Sequence, residues 1–418
     1  MTGILIIGAG HGGTQLAASL RKHGYGSAIT LVSEDPELPY HKPPLSKSFM
    51  QSSDQKIQPL RVEAFFESND IELRMGEIAT GIDRVAKRVT FKNGKSLAYD
   101  QLVLATGTEA RKLNCRGHDL DGVFSIRTAA NSRAIRERLD HTTDVVIIGG
   151  GFIGLESAAM LVKQGHCVTV LELAPNVLGR AVSTEIAEAV TCELQQTGVD
   201  IRCSLGVDHI AGEDGCVTHV VTTSGEHIAA QLVIVGIGAI PCTSLAETAQ
   251  LEIENGICVD GNLKTSSSDI YAIGDCVSFP QVQLGQRIRL ESIQNATEQA
   301  DHLAIVLTGG ATNQYARLPW FWSDIGVMKL QIAGLRNGEI EKVVVHRDDR
   351  LAAVYHYSAN KLVSVETING AGEHMLARKM ITEGFSPSKD ALALTNLASI
   401  KESFKQWKTR ISTLSASL

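Results

Sequence analysis

The sequence predicts an α/β fold in which two Rossmann-like domains are accompanied by a C-terminal α+β domain. A glycine-rich turn of the form G-x-G-x-x-G occurs twice, and each copy follows an apolar run of four residues that is typical of a buried strand. Helical patterns alternate with such runs, which favours parallel sheets. The length of 418 residues exceeds what one core usually organises, so two or three domains are expected.

The two glycine-rich turns predict two bound dinucleotides. In such a turn the first glycine permits a sharp bend, the second lets a pyrophosphate approach the backbone, and the third lets the helix pack closely on the sheet. The helix then directs its N–H groups and positive dipole end at the phosphates. The glycines concerned, after the strands Ile4–Ile7 and Val145–Ile148, are Gly8, Gly10 and Gly13, and Gly149, Gly151 and Gly154. Two dinucleotides in one chain suggest electron transfer between them.

An acidic residue ends the second strand of each unit, near the expected offset of about 20 residues. Glu34 follows Ile29–Val32, and Glu172 follows Val168–Leu171. Each is expected to bind ribose hydroxyls, although an ordinary polar strand end would show the same pattern. A carboxylate repels a 2′-phosphate, so Glu172 favours NADH, while Arg180 leaves NADPH as an alternative.

Composition narrows the class of protein. The net charge of −7 argues against nucleic-acid binding, and no apolar run approaches the roughly 18 residues of a membrane helix. The first strand begins too early for a signal peptide, so a cytoplasmic location is expected. The eight cysteines show neither C-x-x-C nor C-x-x-x-x-C spacing, which predicts no metal site and no redox-active pair. Electrons must then leave to a separate acceptor.

Several further motifs resemble one flavoprotein family. Leu38–Lys47 reads L-P-Y-H-K-P-P-L-S-K and is similar to the L-P-Y-x-R-P-P-L-S-K segment of FAD-dependent NADH:ferredoxin reductases of oxygenase systems, the putidaredoxin reductase and biphenyl dioxygenase reductase type. This type lies within the glutathione-reductase-like flavoprotein superfamily. Other matches occur in family order, at Ala105–Arg111, Val235–Gly238, Ile270–Asp275 and Phe321–Asp324.

The resemblance implies three domains. Residues 1–115 and 246–318 would form a discontinuous FAD-binding domain, residues 116–245 an NAD(H)-binding domain, and residues 319–418 the C-terminal domain. Strands are expected near 327–368, a helix from about Ser292, and one or two helices from about Pro387. Residues beyond about 370 carry no recognised motif.

The resemblance also assigns cofactor contacts. FAD would be held by Gly8, Gly10, Gly13, Glu34, Lys42, Lys47, Thr106, Gly107, Arg111, Asp275, Ser292, Ile293 and Trp322. NAD would be held by Gly149, Gly151, Gly154, Glu156, Glu172, Arg180 and Gly238. Lys42 stands where the family usually has Arg, so it keeps the charge but loses the bidentate geometry.

The implied catalytic residues are Lys47, Glu156 and Trp322. Lys47 would lie at the flavin face, Glu156 would face Lys47 and the nicotinamide amide, and Trp322 would lie on the side where the iron–sulfur protein docks. A solvated loop lysine, a first-turn helix charge and a core tryptophan are the structural alternatives.

The expected partner is a [2Fe-2S] ferredoxin on a separate chain, which feeds a cytochrome P450 or Rieske oxygenase. Rubredoxin, monodehydroascorbate or oxygen as acceptor, and a redox signalling protein like apoptosis-inducing factor, are the alternatives. No nucleic acid and no membrane is expected, and the chain is expected to be a monomer or a homodimer. The segment Ile325–Met328 departs from the family pattern near the docking surface, so the partner is expected to differ.

Overall fold

Buried apolar runs form the strands on which the architecture is built. The computed structural model describes residues 2–52, 54–282, 284–310, 313–347, 350–394 and 396–415. Its strands are β1 (Ile4–Ile7), β2 (Ile29–Ser33), β3 (Ile71–Met75), β4 (Ala79–Asp83), β5 (Arg88–Phe91), β6 (Ser96–Ala98), β7 (Gln101–Leu104), β8 (Thr108–Ala110), β9 (Val123–Ser125), β10 (Asp144–Ile148), β11 (Cys167–Leu171), β12 (Asp200–Arg202), β13 (Val207–Glu213), β14 (Cys216–Thr222), β15 (His227–Ala229), β16 (Leu232–Val235), β17 (Ala239–Pro241), β18 (Ile257–Cys258), β19 (Ile270–Ala272), β20 (Val277–Gln281), β21 (Gln286–Ile288), β22 (Trp320–Ile325), β23 (Met328–Gly334), β24 (Glu341–Arg347), β25 (Arg350–Ser358) and β26 (Lys361–Ile368).

An α-helix directly follows each of the parallel strands β1, β9, β10 and β11. The helices are α1 (His11–Lys22), α2 (Glu63–Ser68), α3 (Ala129–Leu139), α4 (Phe152–Lys163), α5 (Thr184–Gln196), α6 (Ser244–Thr248), α7 (Ile293–Leu307), α8 (Ala371–Glu383), α9 (Lys389–Leu394) and α10 (Leu397–Ser415). Among the described residues, none of these helices combines the length and the apolar character that crossing a bilayer requires.

The chain divides into two compact units. The first comprises residues 1–111, 127–132 and 239–317, and the second comprises residues 112–126, 133–238 and 318–418. The predicted domain boundaries remain a proposal. The sequence prediction placed residues 127–132 and 239–245 in the 116–245 domain. In the structure these residues belong to the first unit.

The first unit is built on a five-stranded parallel sheet in the order β19-β7-β1-β2-β3. Its central strand β1 is buried at all four residues, with Ile4 opposite Ile29 on one side and Gln101 on the other. Burial on both faces explains why this strand is continuously apolar rather than alternating. Helices α1 and α7 pack against each other. The smaller antiparallel sheet β4-β5-β6 belongs to the same unit.

The second unit repeats this pattern in the parallel sheet β12-β11-β10-β16-β9. Here β10 is the central strand, and Val145 lies opposite Val168 and Leu232. The antiparallel sheet β13-β14-β15 packs its apolar face into the same core, through Ile210, Val220 and neighbouring residues.

The last part of the second unit is an antiparallel sheet, β22-β23-β26-β25-β24. Tyr355 and Met380 are among the buried residues that join this sheet to the C-terminal helices. The predicted fold class is confirmed: two Rossmann-like units and a C-terminal α+β domain. The strands begin earlier than predicted, at Trp320, and helix α8 was not predicted.

Candidate active site

The first glycine-rich turn, residues 8–13, leaves an open space at the start of α1, and we call a turn with such a space a cradle. A Cβ atom on Gly8 would lie 2.1 Å from the carbonyl oxygen of Ala105, and one on Gly13 would lie 1.9 Å from that of Gly8. Both positions therefore exclude a side chain. A Cβ on Gly10, by contrast, would meet nothing within 4 Å. Gly10 precedes the helix and no described side chain caps it, so the turn leaves room and N–H donors for a phosphate.

The second glycine-rich turn has the same geometry at the start of α4. A Cβ on Gly149 would lie 2.5 Å from the oxygen of Gly236, and one on Gly154 would lie 2.3 Å from the oxygen of Gly149. At Gly151 the nearest atom, the oxygen of Gly236, would be 3.7 Å away. No described side chain caps α4 either. Both turns thus fit the pyrophosphate of a dinucleotide.

Basic side chains gather around the first cradle. The Lys42 ammonium donates to the backbone oxygen of Arg127 at 3.3 Å, and the Arg127 guanidinium lies 3.9 Å from the Asp275 carboxylate. His11, within the glycine-rich turn, places its ring 5.5 Å from that of His41. Its Nε2 atom is buried without a hydrogen-bond partner among the described residues. An unpartnered ring nitrogen beside two basic side chains suits an anionic ligand.

Burial shifts the pKa values of this cluster, and repulsion among the basic side chains adds to the effect at His11 and Lys42. Burial, followed by repulsion from His41, Lys42 and Arg127, lowers the pKa of His11 to about 4. Burial and the charge of Arg127 lower the pKa of Lys42 to about 8. Burial raises the pKa of Asp275, against the opposing effect of Arg127. Sequence reasoning named Lys42 and Asp275 but missed Arg127 and His11.

Four more residues predicted to contact FAD lie at strand ends and loops of the first unit: Glu34, Thr106, Gly107 and Arg111. The Thr106 hydroxyl donates to the oxygen of Cys242 at 2.8 Å, and the Cys242 N–H donates to the oxygen of Gly107 at 3.0 Å. Arg111 is exposed just after β8, and Glu34 is exposed just after β2. Their contacts with FAD remain predictions.

Lys47 and Ser292 lie at turns and helix ends of the first unit, and their roles at the flavin remain predictions. Lys47 is half-buried between two 3₁₀ turns, Pro43–Ser46 and Ser48–Met50. Ser292 caps α7 by accepting from the N–H of Asn295 at 3.1 Å, so the helix begins at Ile293. The serine explains why the chain starts a helix here.

Glu172 is tied to the second glycine-rich turn. Its carboxylate accepts from the N–H of Gly150 at 2.7 Å and from the N–H of Ala174 at 2.7 Å. Arg180 is exposed eight positions later, and Gly238 follows β16 with φ of +106°. These two hydrogen bonds hold the carboxylate beside the turn, where the adenosine ribose of a dinucleotide would bind.

Glu156 joins α4 to the C-terminal sheet. Its side chain is 8% exposed, and it accepts from the Ser323 hydroxyl at 2.6 Å. One turn earlier, the Phe152 ring lies 4.6 Å from that of Phe321. Sequence reasoning named Glu156 but not Ser323. Since Lys47 and Glu156 belong to different units, their predicted pairing remains a prediction.

Trp322 belongs to an aromatic stack on β22. Its half-buried ring lies 5.5 Å from that of Trp320, at an interplanar angle of 30°. The Arg378 guanidinium lies 4.1 Å from the centre of the Trp320 ring. A guanidinium over the Trp320 ring adds a cation–π interaction to this stack.

Known proteins match almost the whole chain. Residues 2–300 match the family described as pyridine nucleotide-disulphide oxidoreductase, and residues 320–401 match the reductase C-terminal family. Rhodocoxin reductase of Rhodococcus erythropolis is 40% identical over 90% of this chain and 89% of its own length. Rubredoxin-NAD(+) reductase of Pseudomonas putida is 39% identical over 88% of this chain and 95% of its own length. The crystal structure of the ferredoxin reductase for the CYP199A2 system from Rhodopseudomonas palustris has a TM-score of 0.91 and 38% identity, and the match covers 95% of this chain and 98% of that one.

Proposed function

Because the chain belongs to the pyridine nucleotide-disulphide oxidoreductase family, we propose that it passes electrons from NADH through FAD to a [2Fe-2S] ferredoxin that serves a cytochrome P450 or Rieske oxygenase. The chain is an NAD(P)H-dependent flavoprotein of the ferredoxin and rubredoxin reductase type, with FAD and NAD(H) as its cofactors. The identity of the electron carrier and the kind of oxygenase it serves are what we propose.

The observation that carries the proposal is the pair of open glycine cradles in one chain. Gly10 and Gly151 each precede a helix and leave space where a side chain would otherwise stand. FAD, when bound, supplies the conversion between transfer of an electron pair and transfer of single electrons. Such a conversion is what a one-electron carrier requires of a nicotinamide-dependent reductase.

The protein's own residues bind and orient. We assign Lys42 and the Arg127 guanidinium to the phosphates of FAD, and Glu172 to the adenosine ribose of NADH. We assign to Lys47 and the N-terminus of α7 the role of favouring negative charge on reduced flavin. Glu156 is assigned to the nicotinamide amide, and its bond to Ser323 at 2.6 Å fixes its carboxylate. Trp322 is assigned to the surface where the carrier docks.

An external acceptor follows from the cysteines. The sequence has neither the C-x-x-C nor the C-x-x-x-x-C spacing of a redox-active pair. A separate acceptor must therefore receive the electrons. The structural relative described as a ferredoxin reductase supports a ferredoxin.

Rubredoxin is the second candidate acceptor. Two rubredoxin-NAD(+) reductases, of Pseudomonas putida and Ectopseudomonas oleovorans, are 39% and 38% identical to the chain. Their identity is close to the 38% of the ferredoxin reductase for the CYP199A2 system, so overall identity does not separate the two carriers.

A direct comparison of acceptors tests the proposal. The purified flavoprotein would be mixed with NADH and either a [2Fe-2S] ferredoxin encoded near it or a rubredoxin, and carrier reduction followed by absorbance. We expect kcat/KM to be at least about tenfold higher for the ferredoxin. A higher value for rubredoxin would establish the second candidate. Reduction of dyes but of neither carrier would refute both.

FAD affinity is expected to fall as the pH rises above 8. The pKa of Lys42 is lowered to about 8 in the protein without FAD, so the side chain is charged below this pH and neutral above it. A neutral Lys42 must take up a proton to bind phosphate, which weakens binding by up to about tenfold per pH unit. Titration of the apoprotein with FAD between pH 6.5 and 9.5 measures this. Lys42→Arg should remove the dependence, and an equally pH-dependent Kd in that variant would contradict the assignment.

Lys47→Met is expected to slow flavin reduction while FAD is retained. Removal of a cation from the flavin face should reduce the rate constant at saturating NADH by at least about tenfold. Anaerobic stopped-flow absorbance measures the rate, and the ratio of flavin to protein measures retention. The exposed Lys56, nine positions later, provides the control variant Lys56→Met. Equal rates in the two variants would remove Lys47 from the mechanism.

A further inference from the structure

Glu366 is a fully buried carboxylate with contacts on both oxygens. It lies on β26 and is 0% exposed. Oε2 accepts from the backbone N–H of Ser183 at 2.9 Å and from its hydroxyl at 2.6 Å. Oε1 lies 3.2 Å from Nε2 of His356 and 3.5 Å from Nε of Arg336. A carboxylate in this position links the C-terminal sheet to the start of α5.

Ser183 is the N-cap residue of α5, but it does not cap the helix. A serine at this position ordinarily accepts from an N–H of the first turn. Here the hydroxyl donates to Glu366 instead, and no side-chain cap is formed. Lys342 of β24 lies 2.5 Å from Glu185 in the same turn. Two residues of the C-terminal sheet thus hold the same helix end.

The segment 173–182 connects Glu172 to Ser183. Its middle is anchored on the second glycine-rich turn, since the N–H of Leu178 donates to the oxygen of Gly150 at 2.9 Å. Val177 is fully buried, and a Cβ on Gly150 would lie 2.9 Å from its side chain. Leu178 has φ of +54°, which a leucine rarely adopts. Contacts on either side must hold such a conformation.

Glu366 is ionised at neutral pH. Its burial opposes ionisation, but the contact with His356 and the hydrogen bonds from Ser183 outweigh this and lower the pKa of Glu366. A negative charge just before the first turn of α5 is also favourable for the helix dipole. The two hydrogen bonds between Glu366 and Ser183, which form the tether, therefore persist at neutral pH.

We propose that Glu366 is a positioning residue for the NADH site: by holding Ser183, it fixes the segment 173–183 and with it Glu172 and Arg180 beside the adenosine ribose. This inference rests on the proposed role of Glu172. Glu366 itself contacts no dinucleotide. It acts from the C-terminal sheet, through one serine, on the affinity for NADH.

Substitutions on this tether test the inference through a split between KM and kcat. Glu366→Met removes the acceptor at similar length, Glu366→Gln retains an acceptor oxygen, and Ser183→Ala removes only the hydroxyl. Glu373→Met is the matched control, because Glu373 is 4% exposed in the same part of the chain and accepts from Tyr355 at 2.5 Å. NADH oxidation with ferricyanide gives KM and kcat, and thermal unfolding gives stability.

The expected result is a KM for NADH raised about tenfold in Glu366→Met, with kcat within about twofold of the parent. Glu366→Gln and Ser183→Ala should raise KM by smaller factors, and Glu373→Met should leave it unchanged despite a comparable loss of Tm. If Glu366→Met and Ser183→Ala have the same KM for NADH as the control Glu373→Met, the positioning role is overturned. The proposed function stays intact in that case. If Glu366→Met does not fold, Ser183→Ala alone decides: an unchanged KM would refute the tether. Failure of the parent enzyme to oxidise NADH would refute the proposed function as well.

Discussion

Replacing Gly10 by Ala is expected to give a folded protein that does not retain FAD. A Cβ at this position would meet no protein atom within 4 Å, and the backbone φ of −72° suits alanine. The methyl group would instead occupy the space through which the pyrophosphate reaches the N–H groups of α1. Loss of one or two charge-assisted hydrogen bonds costs about 3 kcal/mol, so FAD should bind at least about a hundredfold more weakly. Apoprotein titration with FAD measures the Kd, and circular dichroism checks the fold.

Gly13→Ala is the matched comparison, since it places the same methyl group on the same turn. There the Cβ would lie 1.9 Å from the oxygen of Gly8, so the helix must move away from the strand. We expect this variant to lose stability as well as FAD. Retention of FAD by Gly10→Ala would contradict the assignment of the first cradle.

Glu172→Ala is expected to relax the preference for NADH over NADPH. The carboxylate would no longer accept from the ribose hydroxyls or repel a 2′-phosphate, which together shift the ratio of the two kcat/KM values by about 10- to 100-fold. The KM for NADH should rise too, because Gly150 and Ala174 lose their acceptor. Steady-state kinetics with both nucleotides measures the ratio.

Arg180→Ala separates the two interpretations of nucleotide preference. If the chain is an NADH enzyme, removal of this exposed arginine should leave the ratio of kcat/KM values nearly unchanged. A selective loss of activity with NADPH would instead support the alternative that Arg180 left open. An unchanged ratio in Glu172→Ala would refute the assignment of Glu172 to the ribose.

Local patterns were sufficient for the elements that open each dinucleotide unit. The strands β1 and β10, the turns that follow them and the start of α7 at Ser292 all depend on residues close in sequence. Helix α8 escaped prediction because Gly370 and Gly372 stand at its start and its apolar residues make only a weak stripe. Its burial against the sheet stabilises it, and that depends on residues far away in the sequence.

The parts of the site that sequence reasoning missed are contacts between distant segments. Arg127 comes 85 positions after Lys42, and Ser323 comes 167 positions after Glu156. Arg127 lies outside the recognised motifs, and Ser323 lies within the motif Phe321–Asp324, which gives it no role of its own. Glu366 likewise occupies a position in β26 that resembles any polar residue of a strand. Only the folded chain brings these side chains to their partners.

The bond between Glu156 and Ser323 sets a rule for exchanging parts between related reductases. One way to change the carrier is a chimera whose C-terminal domain comes from another relative. The junction of such a chimera lies between Glu156 and Ser323, so the two residues then come from different proteins. The donor segment must supply a hydroxyl at position 323 and an aromatic ring at 321 for the recipient's Glu156 and Phe152. A junction placed before β22 therefore needs both pairs to be matched, together with the contact between Ser183 and Glu366.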